Sequence, residues 1–308
     1  MPQQHHAAFP ALVQGLLDQP ARISPMYFYD TRGSTLFEEI TRLPEYYPTR
    51  TERSVMQRAG GEIAAAIGTG RTLIELGAGS CEKARLLCRL IEPARFVGVD
   101  IATDFLELAV AGLRAEFPGM EAIAVAGDLH DTVTLPEDLP RNHRLVFYPG
   151  SSIGNFDPEE ALALLQRVRG LIGDDGALLI GVDLVKDSEV LQQAYDDASG
   201  ITAEFNRNIL VHLNRLIETD FDPLQWGHVA LYDPALARIE MHLQALSDQW
   251  VRWPGGGRHF RAGERIHTEN SYKHTPAGFT ALLARAGFHA CQVWTDPLDW
   301  FAVVLAQP

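Results

Sequence analysis

The chain has 308 residues, 46% of them hydrophobic and 21% charged, a balance that suits a globular protein with one large domain or two smaller ones. Its formal net charge of −14, with the basic residues scattered, would repel a phosphate backbone and argues against nucleic acid as a partner. No apolar run reaches the length of a membrane span, no basic and apolar leader opens the chain, and Cys81, Cys88 and Cys291 form neither a CxxC pair nor an even framework. A cytoplasmic protein with no membrane partner is expected, with the cysteines as packing residues.

Arg71 to Leu76 reads as a buried strand that breaks at Gly77 and Gly79 and opens a helix through Lys83. The glycines permit a tight turn and close approach of a ligand, and the helix start offers unpaired N–H groups, which is the pattern of a nucleotide-cofactor site. A dinucleotide fingerprint would carry a third glycine where Glu82 stands, and a carboxylate there would repel a pyrophosphate. Glu75 followed by Gly-x-Gly instead resembles the first motif of class I S-adenosylmethionine methyltransferases. Arg95 to Asp100 predicts a second strand ending in an acid, placed where ribose hydroxyls are gripped in doubly wound folds. A helix over 104–116, strands over 120–126, 144–148 and 177–183, and a helix over 158–170 continue the alternation. The helix expected at 276–286 and the antiparallel strand pair 289–295 and 300–306 close it. The expected fold is therefore α/β, a mostly parallel Rossmann-like sheet with a C-terminal antiparallel hairpin. Residues 59–195 and 276–308 would form this S-adenosylmethionine-binding core, and 1–58 with 196–275 a smaller, discontinuous α+β substrate-binding lid domain.

Four further stretches narrow the reading. They are Tyr29-Asp-Thr-Arg-Gly-Ser-Thr-Leu-Phe37 running on to Leu43-Pro-Glu-Tyr-Tyr-Pro-Thr-Arg-Thr-Glu52; Pro149-Gly-Ser-Ser-Ile-Gly-Asn155; Tyr195-Asp-Asp-Ala-Ser-Gly200 with Phe205-Asn-Arg-Asn208; and Ile266-His-Thr-Glu-Asn-Ser-Tyr-Lys273. Together they resemble the histidine-specific Nα-methyltransferases of ergothioneine biosynthesis, from about Ser24 to the C-terminus. The resemblance implies three successive methyl transfers from S-adenosylmethionine to the α-amine of L-histidine, giving hercynine and S-adenosylhomocysteine. It further implies that Gly77 and Lys83 meet the cofactor's methionine portion, Asp100 its ribose, and Asp128 and Leu129 its adenine, with Gly79 as the second cofactor-binding glycine of the turn. Tyr29, Tyr46, Gly150, Asn155 and Tyr195 would surround the substrate's amino and carboxylate groups, with Tyr29 and Asn155 as the catalytic pair. Glu269 and Ser271 would bind the imidazole, and Phe37 and Met241 would line the pocket.

The chemistry agrees with these residue types. On an extended strand Glu269 and Ser271 point to one face, where a carboxylate and a hydroxyl can pair with the two ring nitrogens. Aromatic rings attract a quaternary ammonium product by roughly 0.5–2 kcal/mol each. On spacing alone Glu269 and Ser271 also fit the wet face of an edge strand, and Asn155 a cap for the helix near Pro158. The histidines, including the terminal His5 and His6, show no metal-ligand spacing, so no metal is expected, and the chain is read as a monomer. The alternatives are Nα-methylation of tryptophan or tyrosine, a nicotinamide-dependent oxidoreductase, and a non-catalytic binding module on the same fold.

Overall fold

The computed structural model describes residues 9–129, 131 and 133–308. His5 and His6 lie outside the described residues. The chain opens with α1 (Pro10–Leu17), β1 (Ala21–Arg22), α2 (Thr31–Ile40), α3 (Tyr47–Arg58) and α4 (Gly60–Ile67). There follow β2 (Thr72–Leu76), α5 (Glu82–Ile91), β3 (Arg95–Asp100), α6 (Thr103–Glu116), β4 (Glu121–Ala126), β5 (Arg144–Tyr148), α7 (Pro158–Ile172) and β6 (Ala177–Asp183). Then come α8 (Ser188–Gln193), α9 (Ile201–Leu216), β7 (Trp226–Asp233), β8 (Arg238–Ala245), β9 (Gln249–Trp253), β10 (Gly256–Phe260) and β11 (Arg265–Tyr272). Helix α10 (Pro276–Arg285) and strands β12 (Ala290–Thr295) and β13 (Phe301–Gln307) end the chain.

Two compact units divide it. One comprises the chain up to Tyr47 with Lys186–Ser271; the other is Pro48–Val185 with Tyr272–Pro308. The cuts fall after Tyr47, the first residue of α3, after Val185 beyond β6, and after Ser271 near the end of β11, whereas the sequence reading draws them after 58, 195 and 275.

The second unit is built on a seven-stranded sheet in the order β12-β13-β6-β5-β2-β3-β4. Strands β2 to β6 run parallel, and β13 is inserted antiparallel to both β12 and β6. The sheet is apolar on both faces, as a doubly covered parallel sheet must be. Ile74, Val97, Val146 and Ile180 pack with Leu164, Val168, Phe279 and Leu283 of α7 and α10. Leu73, Phe96, Phe147 and Leu179 pack with Ile63 of α4, Leu87 of α5 and Val110 of α6. Helix α7 starts where its sequence is richest in caps: Asp157 and Glu160 form a reciprocal capping box and Pro158 occupies the first turn. Asp157, not Asn155, is the cap. Strand order reverses between β2 and β5, and ligands of doubly wound sheets bind at the carboxyl ends of the strands at such a switch point.

The first unit carries a four-stranded sheet, β1-β11-β8-β7, and the β9-β10 hairpin that turns at Pro254–Gly255. Buried Ile239, Met241, Leu243 and Ala245 alternate along β8 with half-buried polar residues, the pattern of a half-buried strand. Helix α9 is capped by Asp197, whose carboxylate accepts from the backbone N–H of Ile201 at 3.0 Å and of Thr202 at 2.7 Å. Burial alone would raise that carboxyl, but these hydrogen bonds outweigh it and hold it below the ordinary range. Among the described residues no helix is long and apolar enough to cross a membrane.

Candidate active site

In the second unit the strand β2 ends at Leu76 and the chain turns through Gly77 and Gly79, with φ of 66° and 48°. A side chain would be strained at these angles, while a Cβ placed at either glycine meets no atom within 4 Å. The turn is held from β3: the N–H of Gly77 bonds the Val99 carbonyl at 2.8 Å, and that of Gly79 bonds Asp100 Oδ2 at 2.9 Å. The other Asp100 oxygen accepts from Ala102 at 2.9 Å, so the carboxylate has a fixed orientation at the strand's end. The Gly127 N–H bonds the Asp100 carbonyl at 3.1 Å and thereby brings the exit of β4, with Asp128 and Leu129, to the same strand end. Leu129 is half-buried and packs against the core, a contact an apolar side chain makes as well as an aromatic one.

Lys83, in the first turn of α5, keeps its side chain 35% exposed and pairs with Glu52 at 2.6 Å. The other Glu52 oxygen accepts from the Gly150 N–H at 2.8 Å, in the turn after β5. Gly150 has φ of 81°, and a Cβ there would lie 2.8 Å from Lys83 Nζ. Gly181 in β6 is required on the opposite side, since its Cβ would meet Glu52 Oε1 at 2.2 Å. The sequence reading gave Glu52 no role, although it closes a motif quoted for the resemblance. Asn155 ends the short helical turn Ser152–Asn155 and is half-buried.

Glu75 completes this set from below. It is 1% exposed, its Oε2 has no hydrogen-bond partner among the described residues, and burial pushes its carboxyl well above the usual range. Lys83 opposes that shift, whereas Glu52 and Asp100 add to it. Burial also pushes the Cys81 and Cys88 thiols up, so neither is an ionised nucleophile at neutral pH. Among the described residues no group of three or more His, Cys, Asp or Glu could hold a metal ion.

In the first unit the aromatic residues singled out from sequence do meet. Tyr29 packs edge-to-face on Phe37 at 5.8 Å, Phe37 on Tyr46 at 6.2 Å, and Tyr46 on Tyr195 at 6.2 Å. Phe205 of α9 backs this row, 6.0 Å from Tyr29 and 6.1 Å from Phe37. The row ends in a polar contact, the Tyr195 hydroxyl on Ser271 Oγ at 2.7 Å. Glu269 and Ser271 are 8% and 4% exposed, so these two polar side chains are buried and do not form a wet face. Met241 is 2% exposed on β8. Helix α2, which carries Phe37, starts at Asp30, whose Oδ1 accepts from Gly33 N–H at 2.7 Å and from Asn208 at 2.8 Å. A Cβ at Gly33 would fall 1.6 Å from the Phe28 carbonyl, so only glycine allows α2 to start against that segment.

A cofactor with a ribose, an amino acid carboxylate and a sulfonium fits the second unit's residues: Asp100 offers acceptors at the end of β3, Lys83 an ammonium, and the Gly77–Gly79 turn open backbone. The sheet order with its inserted antiparallel strand, and the acid-tipped strands around a Gly-rich turn, define a class I methyltransferase core. The chain belongs to the histidine-specific, S-adenosylmethionine-dependent methyltransferase family, whose model matches residues 9–308. It is 42% identical to a histidine N-alpha-methyltransferase of Mycolicibacterium smegmatis over 95% of this chain and 92% of that one. It is 41% identical to a histidine N-alpha-methyltransferase of Mycobacterium tuberculosis, again over 95% and 92% of the two chains. An ergothioneine biosynthesis protein 1 of Neurospora crassa is 30% identical over 94% of this chain, which spans only 34% of that longer protein.

Proposed function

We propose that this protein methylates the α-amine of L-histidine three times at the expense of S-adenosylmethionine, yielding hercynine for ergothioneine biosynthesis and releasing S-adenosylhomocysteine at each transfer. The observation that carries the substrate reading is the row Tyr29–Phe37–Tyr46–Tyr195 ending on Ser271, supported by relatives named for histidine at 41–42% identity.

When bound, S-adenosylmethionine supplies an electrophilic methyl group on a sulfonium. Each transfer forms a nitrogen–carbon bond from the amine lone pair and breaks the carbon–sulfur bond, so an enzyme contributes position and desolvation more than covalent chemistry. Starting from the ammonium form, one proton leaves the nitrogen before each transfer. In this reading Tyr29 and Asn155 hold the amine, with the proton leaving through tyrosine and water, and Tyr46, Gly150 and Tyr195 complete the grip on the amino acid end. Glu269 and Ser271 pair with the imidazole, and Phe37 and Met241 line it. Gly77, Gly79 and Lys83 hold the methionine portion of the cofactor, Asp100 the ribose, and Asp128 and Leu129 the adenine. The aromatic row suits the product, because a quaternary ammonium cannot donate hydrogen bonds and is attracted to ring faces. We also read the protein as a cytoplasmic monomer working on small molecules alone, in keeping with its net charge of −14.

The test is incubation of the purified protein with S-adenosylmethionine and an equimolar mixture of the twenty amino acids, following mass gains of one, two and three methyl groups. Trimethylated histidine as the sole end product is expected. Methylation of tryptophan or tyrosine in its place would overturn the substrate, and binding of S-adenosylhomocysteine without any transfer would favour a binding module.

A further inference from the structure

Helix α9 carries Asn206 and Asn208, two buried amides from a stretch that the proposed function leaves without a task. Asn206 is fully buried. Its Nδ2 lies 3.0 Å from the His242 carbonyl and 2.8 Å from His228 Nδ1, and its Oδ1 receives the Thr268 hydroxyl at 2.8 Å. A carbonyl only accepts, so the His242 contact fixes which end of the amide is the NH2 group. The His228 Nδ1 must then accept the second N–H, which leaves the ring proton on Nε2. That nitrogen lies 2.8 Å from the Tyr195 carbonyl and donates to it. Burial holds the His228 imidazole below its ordinary pKa, against the pull of the Tyr195 carbonyl, in agreement with the neutral ring that this arrangement demands.

The contacts form a closed circuit. Tyr195 is held at its carbonyl by His228 and at its hydroxyl by Ser271 of β11. Asn206 then returns to β11 through Thr268, which is fully buried and also 3.0 Å from the Met241 carbonyl. Thr268 stands one residue before Glu269 and three before Ser271 on β11, and all three are buried. Asn206 therefore ties α9 to the strand that carries Glu269 and Ser271, and through His228 it holds Tyr195, whose hydroxyl meets that same strand.

We propose that Asn206 is a positioning residue for substrate selection, acting through His228 on Tyr195 and through Thr268 on β11 and Met241. This rests on the reading of Tyr195, Met241, Glu269 and Ser271 as the histidine-binding set. Loss of the Asn206 N–H donors removes its bonds to His228 Nδ1 and to the His242 carbonyl, and a shift of about 1 Å in a positioned group is enough to cost binding or rate.

The experiment compares Asn206→Asp, which keeps the shape and the acceptor for Thr268 but removes both donors, with His228→Phe and His228→Gln. The glutamine variant retains a donor and an acceptor on one planar group. Asn206→Asp and His228→Phe should raise the KM for histidine about tenfold while leaving the Kd for S-adenosylhomocysteine within about twofold, and His228→Gln should recover most of the loss. An unchanged histidine KM in both damaged variants overturns the proposal, as does an equal fall in cofactor and histidine binding. Should Asn206→Asp not fold, the phenylalanine and glutamine pair decides alone. Wild-type protein in the same assay separates the two levels: an inactive wild type overturns the function, whereas an active wild type with unmoved variants overturns only the role of Asn206.

Discussion

Two buried carboxyl groups illustrate how environment divides residues of one type. Glu75, at the end of β2, is pushed well above its ordinary value of 4.5 by burial, so the folded chain keeps a proton that the unfolded chain loses. Stability contributed by this group is full below about pH 4.5 and is lost as pH rises through the folded value. A permanently neutral glutamine escapes that loss: Glu75→Gln should gain in melting temperature over the wild type as pH is raised from about 4 to 8, and parallel curves would refute the argument. Glu269 is buried beside Ser271 on β11 in the unit that carries the aromatic row. On the proposal that Glu269 accepts from the substrate's imidazole N–H, Glu269→Ala should cost about 1–3 kcal/mol. Its signature is selectivity: in competition between histidine and tryptophan the preference for histidine should shrink about tenfold or more, and an undiminished preference would show that Glu269 does not read the ring. Candidate residues were legible in sequence where position and chemistry suggest a ligand, as with Asp100 and Lys83, whereas the tyrosines were singled out by the family resemblance. Glu52, Asn206 and His228 were neither, because their partners are backbone groups or side chains distant in sequence. Only the surrounding motifs, Leu43–Glu52 and Phe205–Asn208, pointed toward the first two.

At the scale of elements, the strands and helices of the sheet unit follow from local signals: apolar runs ending in Gly or Asp, and a capping box at Asp157. Lys273 follows from no such signal. It closes the stretch Ile266–Lys273 that suggested substrate contacts, yet it is wholly buried against Asp183 at the end of β6, with nitrogen and oxygen 2.8 Å apart. The same strand end is fixed twice more, by the Asp183 N–H on Ser151 Oγ at 2.8 Å and by the His274 N–H on the Asp183 carbonyl at 3.0 Å. The ion pair thus ties the chain after β11 to the carboxyl end of β6. Lys273→Met should cost about 3–5 kcal/mol in urea denaturation, because it leaves a carboxylate buried without its counter-charge. Adding Asp183→Asn should restore part of that loss by removing the orphaned charge. A loss under about 1 kcal/mol in the single variant would mean that the pair contributes little to the tie.

For the whole molecule, the division into two units explains which half was easier to read. The sheet unit repeats one local rule, strand then helix, whose periodicity survives in sequence. The other unit pairs β1 with β11, Ala21 opposite Ile266, and no local pattern reports a partner so far along the chain. Even there β8 alternates cleanly, a local strand signal, yet the sequence reading draws no strand over 238–245, and no local pattern names its neighbours. The same division yields a test of where the cofactor goes. The turn after β2 is held to β3 by Gly77 and Ala78 on the Val99 carbonyl and by Gly79 on Asp100, and exchange of these amides requires those bonds to open. A ligand that binds only the closed turn adds RT ln(1 + [L]/Kd), about 2.7 kcal/mol at a hundredfold excess over Kd, and should slow exchange there about a hundredfold. Hydrogen exchange with S-adenosylhomocysteine is therefore expected to protect the amides of Gly77, Gly79 and Ala102, while the β9–β10 hairpin of the other unit serves as an internal reference. Protection that appears elsewhere and spares this turn would remove the cofactor from Gly77, Lys83 and Asp100, whatever the methylation assay reports.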